Sequence, residues 1–334
     1  MDTPAIHHLD PEDHREGPEV LAALDIGGTK IGCAVGTVEG KVLAQRRFPT
    51  DPASSPEATI DRALRILAEL AEEAGCGPAA HLGVACPGPF LQPEGRFLDV
   101  PNLLAWQGFD LVGHLKSVYQ GPLAAMNDAN AGVLAERLWG AAQEADTAIF
   151  LTMSTGMGAG FWLGGRLFEG PAGFAGEVGH VRLSPEGPVG FGKSGSVEGY
   201  LSGPGMVQVA EAELLRQTGQ GVSSCLEGVK VTPELLCQAA DDGDAIAKAC
   251  VNLCAHKLGE LCALLVDLLN PDVIVLGTIG ASFPDLFIPH ALEVLRAETL
   301  PASFARVKLV PSELADRGAL SALAVARGVL EHDD

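Results

Sequence analysis

An amide and a carboxylate stand side by side at Asn127-Asp128, directly after the apolar run 123–126. The run predicts a short strand, and residues 131–139 have helix-forming composition, so the pair lies at a strand end. A carboxylate in that place can accept the proton of a substrate hydroxyl. Asp128 could also serve as the N-cap of the helix, and the two roles are compatible.

A glycine-rich turn, Gly27-Gly28-Thr29-Lys30, separates the apolar runs 22–25 and 31–35, and Asp25 ends the first run. Glycine lets backbone N–H groups approach an anion closely, while the threonine hydroxyl and the lysine charge can contact phosphate oxygens. The stretch predicts a strand, a turn and a second strand that bind a nucleotide phosphate. An ordinary β-hairpin has the same pattern.

A second turn of this kind contains Ser154, Thr155, Gly156 and Gly158, between apolar residues from 149 onwards and those at 161–163. It repeats the order of strand, Gly/Thr turn, strand and glycine turn. Two phosphate-type turns in one chain indicate a duplicated architecture with a nucleotide bound between the halves.

Acidic and imidazole side chains form a third group, because Glu177 and His180 lie three residues apart in a glycine-rich loop and Glu198 follows. Glu177 and His180 could bind zinc, but no third cysteine or histidine is near in sequence, which favours hydrogen bonding to a polyhydroxylated ligand. Asn102 could add an amide to the same ligand, or it could be a plain turn residue.

The elements that must position these residues follow from hydrophobic periodicity. Further helices are predicted over 56–74, 244–269 and 318–329, and further strands over 82–86, 272–277 and 307–310. The turn 87–89 and the loop 278–280 each follow a buried strand, where ligand loops of α/β folds usually lie.

Composition limits the classes of function. The 334 residues are 47% apolar, enough for a large core and for two domains. A net charge of −21 opposes binding to nucleic acid or to an anionic membrane. No apolar run reaches the length of a membrane span, and residues 1–20 are polar and acidic, so we expect a disordered leader on a cytoplasmic protein.

The eight cysteines include no C-x-x-C pair, and Cys250, Cys254 and Cys262 follow the apolar spacing of one predicted helix. They are therefore interpreted as reduced thiols of a core.

The motifs DIGGTK, NDANA, STGMGAG and GEVGH together resemble the ROK family of sugar kinases and repressors, within the actin/hexokinase/Hsp70-like ATPase superfamily, over residues 21–330. The resemblance implies an α/β fold with two RNase H-like (actin-like ATPase) domains around a central cleft. One domain would comprise 21–126 and 315–334, and the other 127–314. The resemblance also implies a homodimer that uses ATP and Mg²⁺. Repressors of the family commonly carry an N-terminal helix-turn-helix, and only an acidic leader precedes the first strand here, so the repressor interpretation is weak. With the net charge of −21, we expect binding to neither nucleic acid nor membrane.

The resemblance also implies roles for individual residues. Asp128 would be the catalytic base. The nucleotide would contact Asp25, Gly27, Gly28, Thr29, Lys30, Ser154, Thr155, Gly156, Gly158, Gly277 and Gly280, and the sugar would contact Asn102, Asn127, Asp128, Glu177, His180 and Glu198. The implied reaction is ATP-dependent phosphorylation of a hexose, first of all glucose to glucose 6-phosphate. An N-acylhexosamine or fructose kinase and a sugar-binding regulator without turnover are the alternatives.

The chain departs from the family pattern at a structural zinc site. Val189, Phe191 and Ser196 stand where the family commonly has three cysteines, so no structural zinc is expected. We expect packing to replace the metal, with Phe191 buried under the loop that leads to Glu198. Ser154, Ala159 and Thr278 also stand where glycines are usual in the nucleotide loops.

Overall fold

The computed structural model describes residues 20–51, 53–100 and 103–333, the last five of them in backbone only. The predicted leader up to residue 19, as well as Asn102, lies outside the described residues. The strands are β1 Val20–Ile26, β2 Lys30–Thr37, β3 Val42–Pro49, β4 His81–Cys86, β5 Phe90–Leu91, β6 Arg96–Phe97, β7 Leu123–Asn127, β8 Ala148–Met153, β9 Met157–Leu163, β10 Arg166–Leu167, β11 Val189–Gly190, β12 Lys193–Ser194, β13 Val273–Leu276 and β14 Lys308–Pro311.

The helices lie singly or in consecutive runs between these strands. They are α1 Pro56–Glu73, α2 Leu111–Val118, α3 Asp128–Trp139, α4 Val197–Leu201, α5 Gly203–Thr218, α6 Pro233–Asp241, α7 Ala245–Leu269, α8 Thr278–Ser282, α9 Pro284–Glu298, α10 Pro301–Phe304 and α11 Arg317–Asp333. The predicted helices α1, α7 and α11 and the predicted strands β4, β13 and β14 match their bounds within a few residues, whereas α5, α9 and β3 were not predicted. Residues 278–282 form a short helix rather than a loop, and α3 begins at Asp128, three residues before the predicted start.

Two five-stranded sheets share one topology. The first has the order β3-β2-β1-β4-β7 and the second the order β10-β9-β8-β13-β14. In each sheet the first three strands along the chain form an antiparallel meander, and two further strands join in parallel. The duplication indicated by the two glycine turns is thus present at the level of the sheets.

The chain returns to the first sheet at its end. Helix α11 packs against β1 and β4, and α3 packs beside it, so that Ala131, Leu320 and Leu323 share one buried cluster with Leu21. A β-carbon at Gly83 of β4 would overlap the backbone of α11 at Ala322 and Ala326, and glycine therefore permits this close contact.

Helix α7 forms the centre of the second core, with α5, α6 and α9 around it. By length and composition it is the one helix among the described residues that could cross a membrane, although no such run was expected from the sequence. Most of that apolar stretch is buried inside the protein, as in the core helix of a globular domain. Cys250, Cys254 and Cys262 lie on its buried side as free thiols.

Candidate functional site

A cavity of about 690 Å³ lies where both glycine-rich turns meet. Residues from both sheets and from α3, α4 and α11 line it. Fourteen of the predicted site residues are among them: Asp25, Gly27, Gly28, Thr29, Lys30, Asn127, Asp128, Ser154, Thr155, Gly156, Gly158, Glu177, His180 and Glu198. Segments that are far apart in the sequence thus surround one cavity, which is large enough for small-molecule ligands.

The predicted nucleotide residues Gly277 and Gly280 are buried and do not line this cavity, whereas Thr278 between them does. A β-carbon at Gly277 would press against the Phe150 ring, and one at Gly280 would touch Leu276 and Met153. Both glycines therefore serve close packing around the cavity wall. Thr278 has φ +43°, a left-handed conformation that explains why glycine would be the easier residue there.

The position of Asp128 is set by the end of β7 and the start of α3. Asn127 pairs with Cys86 across the parallel strands, and its Oδ1 atom accepts a hydrogen bond of 2.9 Å from the backbone N–H of Ala129. Asn127 is therefore the N-cap, the role that sequence reasoning had considered for Asp128. Asp128 is left as the first helical residue, with its carboxyl group on the cavity.

The turn after β4 brings together two side chains that were predicted to bind the sugar. A β-carbon at Gly88 would lie 2.9 Å from Asn127 Nδ2 and 3.1 Å from Glu177 Oε1. The absence of that carbon lets the amide and the carboxylate approach across the turn. Sequence reasoning placed a ligand loop here, but it did not select Gly88, since only the folded chain brings Glu177 to it.

Buried negative charge is concentrated around Asp128. Burial raises the pKa of Asp128 to about 7, and the neighbouring charges of Asp25 and Glu177 raise it as well, while the backbone hydrogen bond at Ala129 opposes the shift. The carboxyl group still borders the cavity, so a ligand can reach it. A carboxyl group that titrates near neutral pH is suited to proton transfer.

The pKa of Asp25, near the end of β1, is also raised. Burial raises its pKa, and the positive charges of Arg47 and Lys30 oppose that effect. Gly318, in the first turn of α11, lies so close that a β-carbon there would overlap the Asp25 carboxylate. The helix N-terminus thus points its partial positive charge toward this carboxylate.

Two cationic side chains at this site were missed from the sequence. Arg47 comes from β3 and Arg317 begins α11, and both line the cavity together with Lys30. They bring positive charge to the glycine turns, where a polyphosphate would need it. No local motif marks either arginine, because their neighbours in space come from other parts of the chain.

Glu198 stands in the first turn of α4. Ser196 caps this helix by accepting a 3.1 Å hydrogen bond from Gly199 N–H, and the backbone N–H of Met157 donates to Glu198 Oε2 at 3.3 Å. Burial raises the pKa of Glu177, the charge of His180 lowers it and the charge of Glu198 raises it. His180 and Glu198 are therefore both close enough to act electrostatically on Glu177.

The expectation that Phe191 is buried was wrong. Phe191 is 43% exposed and Val189 is 47% exposed. Both belong to the hairpin β11–β12, which polar contacts hold in place: Gln208 exchanges two 2.9 Å hydrogen bonds with the backbone of Val189, and Lys193 Nζ donates to His180 O at 2.6 Å. Hydrogen bonds from side chains to the backbone hold the loop in place, so apolar packing is not needed there.

Within the part of the chain that the structure describes, no group of three or more His, Cys, Asp or Glu side chains is arranged to hold a metal ion. The expected independence from structural zinc stays a prediction.

Known proteins resemble the chain over most of its length. A model of the ROK family matches residues 21–328. The N-acetylmannosamine kinase of Shigella boydii is 31% identical over 309 residues, 92% of this chain and 98% of that protein. The xylose repressor of Caldicellulosiruptor bescii is also 31% identical, over 89% of this chain and 75% of the repressor.

A solved structure extends the comparison. The ROK family glucokinase from Streptomyces griseus, in complex with glucose and AMPPNP, superposes with a TM-score of 0.79 at 27% identity, covering 92% of this chain and 99% of that chain. The fold class expected from the sequence, an α/β protein with two actin-like ATPase domains around a cleft, is confirmed by this similarity.

Proposed function

The chain belongs to the ROK family, and from that premise we propose that it is an ATP-dependent kinase that phosphorylates a hydroxyl group of a hexose. The observation that carries the proposal is the position of Asp128, which lines the same cavity as both glycine-rich turns. Glucose, attacked through its 6-hydroxyl, is the first candidate acceptor. We expect the enzyme to act in the cytoplasm.

At the sugar end, Asp128 would accept the proton of the attacking hydroxyl. Asn127, Glu177, His180 and Glu198 surround it with donors and acceptors that match a polyhydroxylated ligand. Their fixed positions would orient one hydroxyl toward the phosphate end, and such positioning is the main requirement of phosphoryl transfer.

At the phosphate end, the turns Gly27–Lys30 and Ser154–Gly158 would hold the nucleotide phosphates, and Lys30, Arg47 and Arg317 would neutralise them. The residues fit MgATP, because Asp25 places a carboxylate beside the first glycine-rich turn, and a cation there would offset the burial that raises the pKa of this carboxyl group. When bound, MgATP supplies the phosphoryl group. The chain supplies the orientation of both substrates and the acceptor for the proton.

A second candidate acceptor is N-acetylmannosamine, favoured by the 31% identity with the Shigella boydii kinase over nearly the whole of both chains. A coupled assay of ADP release with glucose, N-acetylmannosamine, N-acetylglucosamine and fructose separates the candidates, and we expect glucose to give the highest kcat/KM. A higher kcat/KM for N-acetylmannosamine would change the proposed acceptor but leave the proposed kinase activity in place.

A candidate of a different class is a regulator that binds sugar without turnover, favoured by the similarity to the xylose repressor. Calorimetry that detects sugar binding by a protein that releases no ADP with any of the four sugars would support this alternative and reject the kinase. The net charge of −21 opposes direct contact of this chain with nucleic acid.

A further inference from the structure

Phe191 occupies an unusual backbone position. In the hairpin β11–β12, Val189 pairs with Ser194 and Gly190 with Lys193, which leaves a two-residue turn of Phe191 and Gly192. Both turn residues have positive φ, +46° and +73°. This is the pattern of a type I′ turn, whose first position strongly prefers Asn, Asp or Gly.

A phenylalanine in this conformation is strained, and its side chain gains little from burial because it is 43% exposed. The turn would form more easily with asparagine or glycine. The position of the ring, rather than the stability of the loop, is therefore what the residue provides.

The ring lies at the sugar end of the cavity. Phe191 lines the cavity together with His180 and Glu198, and its ring meets the His180 ring edge to face at a centroid distance of 4.9 Å. Gly190, just before it, packs so closely on α4 that a β-carbon would overlap Glu198. The aromatic surface thus stands beside the acidic and imidazole groups proposed to bind hydroxyls.

The hairpin is also rigid enough to present that surface. Gln208 bonds both backbone groups of Val189, Lys193 reaches His180 O, and Ser196 Oγ donates to Lys193 O at 3.0 Å. These bonds tie the turn to α5 and to the segment that carries His180. An exposed ring held in this way can receive a ligand without first being ordered.

We propose that Phe191 is a sugar-contacting residue whose ring packs against the carbon-bound hydrogens of the bound hexopyranose. A sugar ring has an apolar face of C–H groups between its hydroxyls, and an aromatic ring offers that face dispersion contacts and a region of negative potential. Polar groups orient the hydroxyls while the aromatic ring covers the carbon skeleton, a combination typical of small-molecule sites. This inference rests on the proposed sugar-binding function.

The test uses Phe191→Gly, which removes the ring and at the same time relieves the positive φ. We expect KM for the sugar to rise about tenfold while KM for ATP stays within about twofold, because an interaction with the sugar alone is lost. The melting temperature should be equal or higher, because glycine adopts the turn conformation freely. Phe191→Tyr keeps the ring and should keep the sugar KM close to that of the wild type.

Phe168→Gly is the matched control, since Phe168 is 44% exposed and lies outside the residues that line the cavity. It should leave both KM values unchanged. An unchanged sugar KM in Phe191→Gly, or a parallel rise of both KM values with a lower melting temperature, would overturn the proposal.

Failure of the proposed function gives a different result. A wild-type protein that releases no ADP and binds no sugar by calorimetry rejects the sugar site itself. An active wild type with an unaffected Phe191→Gly variant rejects only the role of Phe191.

Discussion

At the scale of single residues, the site depends on carboxyl groups that are shielded from solvent. Burial raises the pKa of both Asp128 and Asp25; the charge of Asp25 raises that of Asp128 further, whereas Arg47 and Lys30 oppose the shift of Asp25. The two carboxyl groups therefore differ in environment, although each lies near the carboxyl end of a strand. This difference suits Asp128 to accept a proton, and it places Asp25 beside the positive charges of the proposed phosphate end.

The substitution Asp128→Asn tests the proposed base. We expect kcat to fall about 10²- to 10⁴-fold, because the acceptor for the hydroxyl proton is lost, while sugar binding by calorimetry remains largely intact. The variant should be at least as stable as the wild type at about pH 8, since ionising Asp128 costs stability as the pH rises through about 7. A variant that keeps more than half of the wild-type kcat would remove Asp128 from this role.

The pH dependence of the reaction tests the titration of the same group. A base must be ionised, so kcat/KM for the sugar should rise with pH and level off above an apparent pKa of about 7. Glu177→Gln removes a negative charge that raises this pKa, so it should move the acid limb to lower pH. A profile that is flat between about pH 6 and 8 in the wild type would contradict this assignment.

At the scale of elements, glycine decides how closely strands and helices approach around the cavity. Gly83 lets β4 touch the backbone of α11, and Gly318 lets the start of α11 touch Asp25. These contacts fix Arg317 at the cavity, because it stands next to Gly318 in the same helical turn. The proposed phosphate end therefore depends on packing between elements that are more than two hundred residues apart.

Gly83→Ala should lower stability by about 1–3 kcal/mol, because the new methyl group meets helix backbone that cannot move aside alone. Urea unfolding monitored by circular dichroism measures the change. Gly328→Ala in α11 is the matched control: among the residues that the structure describes, a β-carbon there meets nothing within 4 Å, so alanine should be neutral or stabilise the helix by up to about 1 kcal/mol. Equal effects of the two substitutions would argue against the close contact at Gly83.

At the scale of the whole molecule, the cavity is bordered by both sheets, so a ligand that fills it contacts both halves at once. We propose domain limits near residues 126 and 315, with 21–126 and 315–334 on one side and 127–314 on the other. The two connections would then lie at the β7–α3 junction and between β14 and α11. A cleft with two such connections can close by a hinge motion.

Sugar binding should compact the protein, because closing the cleft brings both halves onto the ligand and excludes water from the transferred group. Small-angle scattering should show a smaller radius of gyration with saturating sugar than without it. A sugar that the ADP assay and calorimetry find not to bind serves as the control. Scattering curves that stay the same despite measured binding would contradict the closure.

The sequence by itself determined what depends on neighbours along the chain. The strands β1, β4, β7 and β13, the helices α1, α7 and α11, and both glycine turns follow from periodicity and turn chemistry within a few residues, and the position of Asp128 at a strand end follows from them. Four short motifs in their order were enough for the resemblance that the family comparison confirmed.

Only the tertiary structure decided what depends on contacts across the chain. Arg47 and Arg317 carry no local signal, and they reach the cavity because β3 and α11 lie beside β1 and β2. Phe191 stays exposed because Gln208 and Lys193 hold its hairpin by the backbone, which no pattern in residues 187–198 shows. The raised pKa of Asp128 has the same origin, since burial and the nearness of Asp25 exist only in the folded chain, where charges far apart in sequence share one cavity.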